Sequence, residues 1–158
     1  MIEQYVNRRI DVLAFQGAAP RGEALLEQQL FGNTAGEVCT GIQKLAQHWL
    51  LEFLTAAGSC RFLPDRGTQF MPRLVSGGLQ HETDVQVEFN FAAATASRNL
   101  AVSEPANAPT DERLQSARLT SIVISAGSLI LHVELTSQAG ETRAIILPVP
   151  VAPVTPDF

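Results

Sequence analysis

The chain has 158 residues, sixteen acidic and eleven basic, with a net charge of −5 and a pI of about 5.1. That length suits one domain with its own core, and the acidic balance weighs against a nucleic-acid backbone as the main partner. The 46% hydrophobic content is that of a globular chain, yet no apolar run reaches the roughly 20 residues that span a bilayer, and the start MIEQYVNRRID lacks the apolar stretch of a secretory leader.

Residues 1–39 read as a helical extension. Ile2, Val6, Ile10 and Leu13 share one helical face before Gly17, Pro20 and Gly22 interrupt it, and a short helix is expected over 23–31. The strongest element is 41–57, where Ile42, Leu45, Ala46, Trp49, Leu50, Phe53 and Leu54 form one wide apolar stripe. Trp49 and Phe53 are its expected core anchors. Thr40 is placed to cap its start, and Gly58 to take the left-handed backbone that ends it. Residues 59–68 then run extended into a turn set by Pro64 and Gly67, which feeds a short element holding Phe70 and Leu74. Between 82 and 100 a strand period through Val85, Val87, Phe89 and Phe91 competes with a helical one through Val85, Phe89, Ala92 and Ala96. Ala93, Ala94 and Ala96 decide for the helix.

The turn-forming stretch 101–112 separates this helical half from a segment of period two. Leu119–Ile124, Leu129–Leu135 and Ala144–Leu147, joined at 125–128 and 137–140, predict a three-stranded antiparallel meander. Leu129, Leu131, Val133 and Leu135 fall on one face, His132 and Glu134 on the other, so one face is buried and one is wet. Prolines at 148, 150, 153 and 156 bar a sheet interior there and predict extended, polyproline-like chain. The expected fold class is α+β, N-terminal helices followed by a C-terminal three-stranded antiparallel sheet, divided as 1–39, 40–150 and a Pro-rich tail 151–158.

No phosphate-binding loop or dinucleotide fingerprint is present. Cys39 and Cys60 are too few for a disulfide scaffold or a Cys-type zinc site and read as reduced core thiols. His48, His81 and His132 lie far apart, and His81-Glu82-Thr83-Asp84 reads as a solvated loop rather than a metal cluster. A glycosidase needs two carboxylates roughly 5–10 Å apart, one of them in an apolar site. Glu52 and Glu134 are the acids inside strongly patterned elements, and both fall where a polar face is expected. The reading is therefore non-enzymatic, with no catalytic residue, metal or cofactor. Ten of the eleven basic residues are Arg, Lys44 being the exception, and Arg is enriched where proteins meet proteins.

The run Leu50-Leu51-Glu52-Phe53-Leu54-Thr55-Ala56-Ala57-Gly58 followed by Pro64-Asp65-Arg66-Gly67-Thr68 resembles the baseplate wedge and sheath-initiator family of contractile phage tails. The family pattern is a helix ending Leu-Leu-Thr-x-x-Gly, a short strand, Pro-x-x-Gly-[Ser/Thr], further helices, a Glu-Pro-Arg connection and an antiparallel sheet. Glu112-Arg113-Leu114 resembles the end of that connection, without its Pro. The likeness extends over about 40–150 and implies a structural virion protein of the tail baseplate, assembled in the bacterial host cytoplasm. The partners it implies are sheath, wedge and tube proteins, with six copies in a ring and no membrane or nucleic acid. Contacts are expected at Glu112, Arg113 and Leu114, and by strand addition along Glu141, Thr142, Arg143, Ala144, Ile145, Ile146 and Leu147. The helical half is expected to stay folded without 141–158. A different tail-completion or tube-ring protein, and more remotely a small glycosidase, are the competing readings.

Overall fold

A computed structural model of the chain describes residues 11–12, 38–125 and 128–150. Helix α1 covers Gly41–Leu54, and Leu45, Ala46, Trp49, Leu50 and Phe53 of the apolar stripe are buried along it. It ends at Leu54 rather than at 57, because the next residues pair with another segment. Thr55 turns extended, at ψ 128°. Thr68 N–H then donates to the Thr55 carbonyl at 2.8 Å, and Ala57 N–H to the Thr68 carbonyl at 2.9 Å. Gly58 does have positive φ, +77°, but in the following turn, where Ser59 N–H bonds the Ala56 carbonyl at 3.1 Å. It does not end the helix.

Helix α2 is Phe70–Val75 and helix α3 is Glu82–Ser103. The helical period over 82–100 prevails: Val85, Phe89, Ala92 and Ala96 are buried, while Val87 and Phe91 lie on the exposed side. A 3-10 turn at Thr110–Glu112 leads into strands β3 (Leu114–Ser125), β4 (Ser128–Ser137) and β5 (Thr142–Pro150), whose sheet order is β3-β4-β5. Both pairings are antiparallel, so the fold is α+β with a C-terminal three-stranded sheet. For this sheet's strands β3, β4 and β5, the shorter strands β1 and β2 lie earlier: Asp11–Val12 pairs antiparallel with Val38–Cys39. That part of 1–39 is thus strand, not helix; its Asp11 is held by long-range contacts with Gln47 and His48 that no local period reports. The face formed by Ile2, Val6, Ile10 and Leu13, the helix expected at 23–31 and the tail 151–158 lie outside the described residues.

Helix α1 packs over β4 and β5, and α3 over β3. Between them sits an aromatic cluster: Phe53 lies 4.8 Å from Trp49, 4.9 Å from Phe70 and 5.3 Å from Phe89 between ring centroids. The inward side chains Leu129, Leu131, Val133, Leu135, Ile145, Leu147 and Val149 close the core from the sheet side. Each fully buried side chain of this size contributes about 1.5–3 kcal/mol of transfer free energy.

Candidate functional site

The family-like run around α1 is a structural joint. Pro64 occupies the second position of a turn closed by Arg66 N–H donating to the Leu63 carbonyl at 3.1 Å. Gly67 has φ +88°, and a Cβ there would lie 2.5 Å from the Thr55 carbonyl oxygen, so the turn meets the helix end backbone to backbone. Glu52, expected on a polar face, is only 5% exposed. Its Oε1 accepts from Gly67 N–H at 2.8 Å and from Asn99 Nδ2 at 2.6 Å, and its Oε2 lies 3.1 Å from Arg66 Nε. The carboxylate is buried because it ties α1, the turn and α3 together. Asn99 and Arg66, its partners, carry no periodic signal and were not legible as such from sequence.

The connection before the sheet is tied down in the same way. Thr40 makes no side-chain cap. Instead Glu112, 71 residues further on, accepts from Gly41 N–H at 3.2 Å and from Lys44 Nζ at 2.6 Å. A carboxylate at this end of α1 also opposes the positive pole of the helix. Arg113 donates through Nη2 to the Ala106 carbonyl at 2.8 Å, and Leu114 packs against the core. Burial pushes the Glu104 carboxyl above its usual range, opposed by the charge of Arg113 and by a backbone hydrogen bond from Leu114. Both Glu104 and Glu112 therefore adjoin the Arg113–Leu114 pair.

Between α1, the 60–66 loop and the Glu104 segment lies a groove of about 620 Å³, lined among others by His48, Leu51, Cys60 and Leu63. His48 Nε2 lies 2.8 Å from Asp11 Oδ2. Both cysteines are free; Cys39 is buried, but Cys60 stands half-buried in the groove wall and is not a core thiol. Burial pushes the Cys39 thiol up, Asp11 and Glu112 add to this, and Lys44 opposes it. Among the described residues no group of three or more His, Cys, Asp and Glu side chains is placed to hold a metal. In the His81–Asp84 stretch, Asp84 Oδ2 accepts from His81 N–H at 3.1 Å and so opens α3.

The two outer strands of the sheet differ. β3 carries register breaks at 114/116 and 119/121, each inserting one residue opposite β4, and such bulges spoil an edge for further pairing. β5 runs in unbroken register from Thr142 to Pro150. Ser137 N–H donates to the Glu141 carbonyl at 2.8 Å, which fixes the phase of the ladder. Residues 143, 145, 147 and 149 turn their backbone groups towards β4, and 142, 144, 146, 148 and 150 turn theirs away. This corrects the expectation that Pro148 and Pro150 lie beyond the sheet: their missing N–H groups belong to the outward side, so β5 continues through them at no cost to β4. The edge presents outward N–H donors at Thr142, Ala144 and Ile146, then none at Pro148 and Pro150. Comparison with protein-family models, curated proteins and solved structures finds no match for this chain.

Proposed function

We propose that the chain is a structural baseplate subunit of a contractile tail or related injection machine, six copies of which join wedge and tube to the first sheath ring. It starts sheath assembly by accepting a sheath strand at β5. The observation that supports this reading is the regular outer edge of β5, three outward N–H groups long and ended by two prolines, beside a β3 edge broken by two bulges. Among the described residues no strand pairs with the outer side of β5, and an edge of this kind supplies backbone donors and acceptors to an incoming strand.

Removing 141–158 is not a clean test, because Ile145, Leu147 and Val149 of β5 are part of the core against α1. The substitution Ala144→Pro deletes one outward donor and leaves the β4–β5 ladder its bonds. Baseplates carrying Ala144→Pro together with Ile146→Pro are expected to incorporate the folded subunit but to grow no sheath. Full-length sheaths on such particles, seen by electron microscopy, overturn the proposal.

A further inference from the structure

The inward-facing positions of β5 run Arg143, Ile145, Leu147 and Val149. The last three are apolar and buried. Arg143 shares their face, stands opposite the fully buried Leu135, and is half-buried itself. Two other part-buried cations among the described residues meet acids, Lys44 at 2.6 Å from Glu112 and Arg66 at 3.1 Å from Glu52, while Arg113 donates to the Ala106 carbonyl and its charge acts on Glu104. Among the described residues no acidic side chain lies within ion-pairing distance of Arg143. Burial lowers its pKa, with no neighbouring charge offsetting the loss of water. A guanidinium drawn partly out of water without an anion costs free energy that a carboxylate would return. It also sits between Thr142 and Ala144, whose N–H groups point out of the sheet.

We propose that the strand added to β5 carries a carboxylate on its inward face beside Arg143, and that this ion pair selects the partner strand and sets its register. The inference rests on the strand-addition reading above. The donors at 142, 144 and 146 and the stop at Pro148 define a short extended segment, apolar inward beside Ile145 and Leu147, with one Asp or Glu next to Arg143. A second copy of β5 does not fit. Residues 142–150 contain no acid, so a symmetrical pairing that used all three donors would leave Arg143 without one.

The test uses the full chain and two blocked peptides, Lys-Val-Thr-Val-Thr-Glu-Thr-Val-Thr-Val-Lys and its Glu→Gln counterpart, which with Glu beside Arg143 set valines beside Ile145 and Leu147 in either strand direction, with amide exchange and Kd read by NMR. Both peptides should slow exchange at Thr142, Ala144 and Ile146. The Glu peptide should bind about fivefold more tightly, the scale of a part-exposed ion pair, and added salt should erase the difference. Arg143→Gln should abolish the preference, so that the Glu and Gln peptides bind it alike. Equal affinities with the three amides protected overturn the ion pair and leave strand addition standing. No protection with either peptide at millimolar concentration overturns both. A dimer, seen by light scattering and dissolved by Ala144→Pro, assigns the edge to a second copy and also overturns the inference.

Discussion

Replacing Glu52 by Ala tests the joint that holds the helical half together. The side chain is 5% exposed and satisfies Gly67 N–H at 2.8 Å and Asn99 Nδ2 at 2.6 Å, while Arg66 stands 3.1 Å away. Removing it strands a buried backbone donor, which alone costs about 1–3 kcal/mol. Asn99 loses one acceptor but keeps the Asp65 carbonyl at 3.2 Å, and Arg66, about a third exposed, recovers water. The total is about 3 kcal/mol, at the lower end of the roughly 3–5 kcal/mol typical of breaking a fully buried ion pair. For a chain of this length that is roughly 6–12 °C in Tm. Urea unfolding followed by the fluorescence of Trp49, the single tryptophan, gives the measurement. Glu52→Gln should lose less, since one carbonyl oxygen can still serve Gly67. A Glu52→Ala variant within about 1 kcal/mol of the parent would refute the joint, because one buried unsatisfied donor already accounts for that much.

Gly67→Ala should destabilise severely and Gly58→Ala by only about 1 kcal/mol: both have positive φ, but a Cβ at 67 collides with the Thr55 carbonyl whereas at 58 it meets open space. Thermal melts of the two variants check the contrast. Trp49→Ala and Phe53→Ala, both at 0% exposure, should each cost about 3–5 kcal/mol in urea unfolding followed by far-UV circular dichroism, which does not depend on the tryptophan. Glu104 has a raised folded pKa, so the stability linked to its proton is fully present below the ordinary carboxyl range and is lost as pH rises through the raised value. Glu104→Gln should therefore raise Tm at neutral pH and leave it unchanged near about pH 3; the same Tm difference at both pH values would show that desolvation of the carboxylate is not the cause.

Periodicity carried most of the fold. The stripe from Leu45 to Phe53, the alanines of α3 and the alternation along β4 each report which face meets the core, because burial acts on every turn or every second residue of an element. Sequence alone thus determined the α+β class, the helix-then-meander order and the core anchors Trp49 and Phe53. It could not place a side chain that serves another segment. Glu112 caps α1 in place of Thr40, and Glu52 is buried by a glycine and an asparagine drawn from two different segments. Hydrogen bonds of this range leave no local pattern. The open edge was legible in part: the prolines and the meander were visible, but which backbone groups face outward depends on ladder phase, which the Ser137–Glu141 bond sets. Likewise, that Arg143 lies half out of water with no described acid beside it follows from the packing of β5 under α1, since desolvation is a property of the assembled neighbourhood and not of the residue.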